Sequence, residues 1–276
     1  MSSDNNLVRI NKYFTDCGIL SRRAAEAEIS AGRVKINGKI AELGQKINPK
    51  KDIVEYKGEK IKPKQSKRFT YIMLNKPCGY LTTMSDDRGR DCVADLISDV
   101  GTRVYPVGRL DMYSDGLLLF TDDGELANML THPKHEIPKI YHVKVKGGRD
   151  DKKIEALGKA MDIDGYTIEP VKVELVSVRD DACVLKMTLY EGRNRQIRKM
   201  CEQVHLEVMS LRRVAIGKIE LGNLPQGKWK HLSGAQVKYL KDSMKLSKSK
   251  LEKKAKENDK ESSAKGVRGS SNRKRR

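Results

Sequence analysis

A polar segment at residues 60–68, Lys-Ile-Lys-Pro-Lys-Gln-Ser-Lys-Arg, divides the chain into two parts that must each build a core. The segment contains a proline and lacks apolar periodicity, which is typical of a linker between compact bodies. Hydrophobic residues make up 38% of the 276 residues, which suffices for packed cores but is low for one uniform globule. We therefore predict a first domain at residues 7–62, a linker at 63–68 and a second domain at 69–245.

The final segment, residues 246–276, has no aromatic residue and few aliphatic ones. It cannot bury enough apolar surface to offset its ordering entropy, so we expect a disordered basic tail. The net charge of +19 divides into −1 for residues 1–6, +7 for 7–64, +4 for 65–240 and +9 for 241–276. This excess indicates a polyanionic partner. A solubilising role and non-specific contact with phosphates both remain open for the tail.

Several classes of protein are excluded. The longest apolar run, Leu117–Phe120, is far shorter than the roughly 20 residues of a membrane helix. The N-terminus lacks the basic and then apolar stretch of a secretory signal. The five cysteines form no CxxC pair, and Pro133 separates His132 from His135, so we expect no disulfide framework and no metal site. These features predict a cytoplasmic protein with no membrane partner.

The first domain shows the pattern of two helices followed by a small sheet. Apolar residues recur on one helical face at Leu7, Ile10, Phe14 and Cys17. Ser21 is a good N-cap for a second helix over residues 22–31. Asn37-Gly38 indicates a type I′ hairpin. We expect Ile40, Leu43 and Ile47 to continue the sheet and residues 52–56 to form its last strand.

Basic residues gather around the start of the second helix. Arginines in a first helical turn work against the helix dipole, and phosphates held by the helix N-terminus would offset that cost. The candidate phosphate-binding residues in this domain are Arg22, Arg23, Arg33, Lys35 and Lys39. An ordinary solvated helix face is the alternative.

The second domain alternates strands with helices. Strands are predicted at residues 69–74, 104–107, 117–121, 141–145, 171–178 and 183–190. Helices are predicted at 124–131, 151–161 and 194–204, and after a cap at Ser233. The mixed order and the alternating strands indicate an α+β fold, in which helices flank a mixed, largely antiparallel sheet.

Two charged segments interrupt the apolar sequence. Asp111 lies in a loop between two strands that look buried, where a simple turn-forming role is the commonest one. Residues 193–199 carry Arg193, Arg195, Arg198 and a lysine at the start of a helix. Arg198 lies beside the apolar seam, where its guanidinium can reach inward to a carboxylate or pair on the surface with Glu202.

Four motifs in order resemble the pseudouridine synthases: NKPCGYLTT, YPVGRLDMYSDGLLLFTDDGELANMLTHP, KIYHVKVKG and EGRNRQIRKMCEQV. The first domain, from RINKYF to the GRVKINGK hairpin, resembles the alpha-L, or S-four-like, RNA-binding module. Together they resemble the ribosomal RNA family called the RsuA/RluB/RluE/RluF group, most of all its B type, which acts on large-subunit rRNA. The resemblance covers about residues 7–240.

The resemblance implies a role for each matching residue. Asp111 matches the catalytic aspartate, and Arg198 the basic residue paired with it. Tyr141 matches the tyrosine that stacks on the uracil, while Ile197 lines the pocket and Arg109 helps to hold the flipped nucleotide. The motif containing Lys76 is implied to be structural. From the charge pattern, Arg193 and Arg195 are predicted to bind RNA at a basic rim of the site.

The implied reaction breaks and remakes a bond within one nucleotide, so it needs no metal and no cofactor. We predict a monomeric enzyme that isomerises uridine in ribosomal RNA, most simply in 23S rRNA. Three alternatives remain: an F-type or small-subunit (16S) enzyme, a non-catalytic assembly factor that binds RNA, and a nucleosidase that cuts without rejoining.

Overall fold

The computed structural model describes residues 7–62, 68–132, 135, 137–147, 149–179 and 181–246. The chain divides into two compact units, Met1–Arg68 and Phe69–Arg276. Almost all of the predicted linker and of the predicted basic tail lies outside the described residues. Within the described ranges, no helix combines the length and the apolar character needed to cross a membrane.

The first unit is built from short elements. In chain order they are β1 (Val8–Arg9), α1 (Ile10–Asp16), α2 (Arg22–Ser30), β2 (Val34–Ile36), β3 (Lys39–Ile40), β4 (Lys46–Ile47), β5 (Val54–Tyr56) and β6 (Glu59–Ile61). Strands β3-β2-β5-β6 form one sheet, and β1 pairs with β4. The hydroxyl of Ser21 caps α2 by accepting a hydrogen bond of 3.1 Å from the amide of Ala24. Asn37 and Gly38 both take positive φ, 50° and 82°, which confirms the type I′ hairpin.

Three details of this unit differ from the sequence prediction. Residues 52–56 do not form the last strand, because a turn at Lys57 and Gly58 leads into β6. Lysine is rare at positive φ, so Lys57-Gly58 is not among the usual sequence pairs of a two-residue hairpin turn. Leu7 is 53% exposed because residues 8–9 pair as β1 and helix α1 begins only at Ile10. Leu43 is also exposed and lies between strands.

The second unit contains the larger sheet. Its elements are β7 (Tyr71–Lys76), a 3₁₀ helix (Asp95–Val100), β8 (Tyr105–Val107), β9 (Asp115–Thr121), α3 (Gly124–Thr131), β10 (Lys139–Lys146), α4 (Asp151–Leu157), β11 (Asp162–Ile163), β12 (Tyr166–Thr167), β13 (Lys172–Arg179), β14 (Ala182–Leu189), α5 (Gln196–Gln203), β15 (Val208–Ile216), β16 (Ile219–Glu220), β17 (Trp229–His231) and α6 (residues 234–246).

The nine-stranded sheet has the order β13-β14-β10-β15-β9-β7-β17, with β16 beside β15 and β8 beside β9. Only β9 and β15 run parallel among these pairs; the other described pairings are antiparallel. The predicted α+β class with a mixed, largely antiparallel sheet is therefore confirmed.

Apolar side chains cover both faces of β9, which explains its unbroken apolar run. Leu117 and Leu119 pack with α3 and α6, whereas Leu118 and Phe120 pack against the 3₁₀ helix. A separate cluster joins β10, β14 and β15 to α5. Each half of the sheet thus has its own packed layer.

Helix bounds follow local chemistry. Helix α3 covers the predicted residues, with Asp123 as its cap. Helix α5 begins two residues later than predicted because Arg195 adopts a positive φ of 51°. Helix α4 ends at Leu157, directly before Gly158, rather than at residue 161. Strand β15 is absent from the sequence prediction, because the adjacent Arg212 and Arg213 interrupt the alternation of apolar and polar residues.

None of the five cysteines forms a disulfide, and only Cys78 among them is exposed. Burial raises the pKa of Cys201 to about 12, and partial burial also raises that of Cys78. Because the thiolate is the reactive form and access is required, we expect an alkylating reagent at neutral pH to modify Cys78 slowly but first. Mass spectrometry of the native protein checks this, with denatured protein as the control; early modification of Cys201 would contradict the fold.

Candidate active site

The site lies beside the edge of β9 along which the pairing strand changes from β15 to β8. Strand β7 pairs along the opposite edge, so β15 and β8 must share the remaining one. Strand β15 pairs with Asp115 and Gly116, and β8 pairs from Leu119 to Thr121. Leu117 and Leu118 lie in the gap between them. The loop 108–114 leaves β8 beside this gap and returns to β9, and it carries Asp111.

A buried lysine holds this loop in place. Lys76 is fully buried, and its ammonium donates hydrogen bonds to the carbonyls of Pro77 (3.0 Å), Asp111 (3.1 Å) and Ser114 (2.8 Å). Burial lowers the pKa of Lys76, and the three carbonyls satisfy its donors. Thr82 adds a bond of 2.6 Å to the carbonyl of Leu110. The backbone on either side of Asp111 is therefore fixed.

Arg198 reaches inward from α5 to the carboxylate of Asp111. Its Nε lies 3.5 Å from Oδ2 of Asp111, and its terminal nitrogen donates a bond of 2.7 Å to the carbonyl of Tyr113. The first distance exceeds that of an ordinary hydrogen bond, so the contact is an ion pair. The two side chains are 16% and 25% exposed. The guanidinium thus faces both the carboxylate and the loop that carries it.

Asp111 lines a cleft of about 720 Å³. Tyr141 from β10 and Ile197 from α5 lie on its wall. The basic side chains on the same wall are Arg90, Arg109, Arg193 and Arg195. Arg198 instead borders an adjacent open depression of the surface, so it contacts Asp111 from outside the cleft. The cleft therefore offers one face of a carboxylate, an aromatic ring and an aliphatic wall under a basic rim.

Two apolar residues of the wall carry no signal in the sequence. Leu189 lies at the end of β14 and Leu211 in β15, and both border the cleft. Leu189 has no feature that distinguishes it from other core leucines, and Leu211 belongs to the strand that the sequence pattern does not reveal.

The segment before α5 is held by a buried glutamine. Gln196 is 3% exposed; its amide oxygen accepts a bond of 3.1 Å from the backbone of Arg193, and its nitrogen donates 2.9 Å to Glu191. The guanidinium of Arg193 lies over the ring of Tyr166, 3.0 Å from its centroid. These contacts place Arg193 at the rim of the cleft.

Residues 70–203 match the RNA pseudouridylate synthase family, and residues 8–53 match the S4 domain. An uncharacterized RNA pseudouridine synthase of Aquifex aeolicus is 41% identical over 84% of this chain and 93% of its own length. The chain belongs to the RNA pseudouridylate synthase family. It is an RNA pseudouridine synthase with an N-terminal S4 domain.

Other similar proteins are also pseudouridine synthases. The ribosomal large subunit pseudouridine synthase B of Bacillus subtilis is 38% identical over 84% of this chain and 95% of that protein. The dual-specificity RNA pseudouridine synthase RluF of Escherichia coli is 36% identical, covering 83% and 77%. A pseudouridylate synthase crystal structure superposes with a TM-score of 0.61 at 27% identity, covering 84% of this chain and 99% of that one.

The basic residues of the S4 domain differ in their surroundings. The exposed ones from the sequence prediction are Arg22, Arg23, Arg33, Lys35 and Lys39. Arg33 makes a two-pronged contact with Glu28, at 2.7 and 2.8 Å. This contact lowers the pKa of Glu28 to about 2. Arg22 and Arg23 lie at the capped N-terminus of α2, where backbone amides also point outward.

Proposed function

We propose that this synthase isomerises uridine to pseudouridine in ribosomal RNA, with Asp111 as its essential carboxylate. The observation that carries this proposal is the placement of Asp111 on the wall of the cleft, backed by Arg198 and beside Tyr141. Oδ1 of Asp111 is buried and has no hydrogen-bond partner among the described residues. The Asp111 side chain as a whole is 25% exposed, so part of the carboxylate is reachable from the cleft.

The reaction breaks the bond between C1′ of the ribose and N1 of uracil, turns the base, and joins C5 to C1′. C5 then loses its proton and N1 gains one, so the product is an isomer of uridine. An ionised Asp111 serves either as the nucleophile or as the base that removes a ribose proton to give a glycal. Arg198 orients the carboxylate and balances its charge. The loop stays rigid through Lys76 and Thr82, so the carboxylate does not have to be ordered when RNA binds.

The detached base needs a surface on which it can turn without escaping. Tyr141 supplies an aromatic face, and Ile197 and Leu211 supply apolar walls. A base inside a helix cannot reach this cleft, so the target uridine must flip out of its stack. Arg109, Arg193 and Arg195 at the rim are suited to hold the backbone phosphates on either side of it.

The S4 domain supplies further contacts with phosphates. Arg22, Arg23, Lys35 and Lys39 are the best placed for this role, because Glu28 already engages much of the Arg33 guanidinium. Charge contacts of this kind give affinity without sequence specificity and weaken as salt rises. The specificity for one nucleotide is then set by RNA shape and by the cleft.

Replacing both Arg22 and Arg23 with alanine should weaken RNA binding and raise KM, with little effect on kcat. If each contacts one phosphate, the slope of log affinity against log salt should fall in magnitude by about two. Lys12→Ala is the matched control, because Lys12 is an exposed cation of the same domain engaged by Asp16 at 2.6 Å. An unchanged salt slope in the double variant would remove these arginines from the RNA interface.

The proposed substrate is 23S rRNA, acted on in the cytoplasm by a monomer. The synthase B relative from Bacillus subtilis supports this choice, with 38% identity over 95% of its length. The F-type relative is almost as similar in sequence, so sequence identity does not distinguish the two types. The position of the pseudouridine that the enzyme forms distinguishes them.

Incubation of the purified enzyme with 23S and 16S rRNA transcripts tests the proposal. Digestion of the RNA and chromatography of nucleosides should reveal pseudouridine in the 23S transcript. Free uracil would instead indicate a nucleosidase. Pseudouridine in the 16S transcript alone would indicate a small-subunit enzyme. Tight binding of RNA without any pseudouridine would indicate an assembly factor.

A further inference from the structure

The two halves of the large sheet meet at one short joint. One half contains β7, β8 and β9 and carries the loop of Asp111. The other contains β10, β14 and β15; it carries Tyr141 and leads into α5 with Arg198. Strands β7 and β9 pair along six residues, whereas β9 and β15 pair only at Asp115 with Arg212 and at Gly116 with Arg213. The catalytic constellation therefore depends on how this joint is held.

Arg213 fills the gap beside the joint. It is 4% exposed, and its Nε donates a hydrogen bond of 2.7 Å to the carbonyl of Leu117. Leu117 lies between the stretches of β9 that pair with β15 and with β8. The side chain of Arg213 thus replaces the backbone partner that this carbonyl lacks on that edge.

Arg212 holds the joint from the other face. Successive residues of a strand point to opposite faces, and Arg212 reaches Asp115 at 3.3 Å. Between the contacts made by Arg212 and Arg213, the backbones of β9 and β15 come very close. A Cβ on Gly116 would lie 2.3 Å from the carbonyl oxygen of Arg213. The joint is short but closely fitted.

Stability alone does not explain an arginine at position 213. One terminal nitrogen of its guanidinium is buried without a hydrogen-bond partner among the described residues, which is a cost to the folded state. Its cross-strand neighbour on β10 is Tyr141. Arg213 does not border the cleft, so it has no direct contact with a bound base.

We propose that Arg213 is a positioning residue of the synthase: through Leu117 it fixes the separation between the Asp111 loop and the half-sheet that carries Tyr141 and Arg198. The proposal rests on the proposed function. Misplacement of reacting groups by about 1 Å costs about 100-fold in rate, so loss of this contact should act mainly on kcat.

Arg213→Met keeps the length of the side chain but removes the donor. We expect kcat for pseudouridine formation to fall by about 100-fold while KM for RNA stays close to that of the wild type. Arg213→Lys restores a donor and should recover most of the rate. Thr121→Val is the matched control, because Thr121 is 1% exposed and also donates 2.7 Å to a backbone carbonyl, at the far end of β9.

Circular dichroism first establishes that each variant is folded at the assay temperature. If the methionine variant does not fold, Arg213→Gln and Arg213→Lys decide the question. A folded variant with wild-type kcat, a loss matched by Thr121→Val, or a loss confined to KM would each overturn the positioning role.

A geometric readout separates this proposal from the proposed function. Crystal structures of the wild type and of Arg213→Gln should show a longer separation between Asp111 and Arg198 in the variant. If the wild type makes no pseudouridine, the proposed function fails while this comparison still decides whether Arg213 sets the geometry; an unchanged separation would overturn it.

Discussion

Replacing Asp111 with asparagine should abolish pseudouridine formation and leave RNA binding intact. The amide has nearly the same shape as the carboxylate, so the loop held by Lys76 should keep its conformation. It can act neither as a nucleophile nor as a base, and losses of this kind reach about 10⁴-fold or more in kcat. Pseudouridine formation in the RNA under single-turnover conditions measures the rate, and filter binding measures the affinity for RNA.

Asp86→Asn is the matched control for this prediction. Asp86 is a second carboxylate on the wall of the same cleft and is likewise paired with an arginine, at 2.6 Å from Arg90. The contact with Arg90 lowers the pKa of Asp86 to about 2, so Asp86 is ionised at neutral pH. We expect its asparagine variant to retain activity. Loss of activity in Asp86→Asn together with an active Asp111→Asn would show that Asp86, and not Asp111, is the essential carboxylate.

Gly116→Ala should be the most destabilising single methyl addition among the glycines that the structure describes in the second unit. The new Cβ would lie 2.3 Å from the oxygen and 2.9 Å from the nitrogen of Arg213, and both are backbone atoms that cannot rotate away. Gly116 also has a φ of +105°. Strain and overpacking together cost about 3 kcal/mol or more, out of a total stability of about 5–15 kcal/mol. Urea unfolding measures the loss.

Gly101→Ala separates the two sources of this cost. Gly101 has a φ of +76°, and a Cβ there would meet nothing within 4 Å in the part of the chain that the structure describes. Its alanine variant should lose only about 1–2 kcal/mol, the cost of the left-handed conformation. Equal losses at the two positions would show that β9 and β15 are not in close contact at the joint.

The local features of the fold are predictable because their causes are local. Helix α3 follows from its capping aspartate and its apolar spacing, and the hairpin at Asn37-Gly38 follows from the positive φ that these residues accept. Strand β15 is not predicted because Arg212 and Arg213 break its pattern. Both arginines bind groups on β9, the Asp115 carboxylate and the Leu117 carbonyl, about 100 residues earlier in the chain. A pattern of period two cannot reveal partners so far away.

Some residues of the candidate site are also predictable from the sequence, and others are not. The family resemblance singles out Asp111, Tyr141, Arg198 and Ile197, and the structure brings all four to one place. It gives no reason to single out Leu211 or Arg213, whose positions depend on the pairing of β15 with β9 and β10. The role of Lys76 is visible only once the carbonyls that it binds are placed around it.

Mapping of pseudouridine in cellular rRNA tests the central claim most directly. Ribosomal RNA from cells that lack this protein should miss one pseudouridine in 23S rRNA, and expression of the wild-type chain should restore it. Expression of Asp111→Asn at the same level should leave that position as uridine. Restoration of the modification by the asparagine variant, or an unchanged map in cells that lack the protein, would contradict the account.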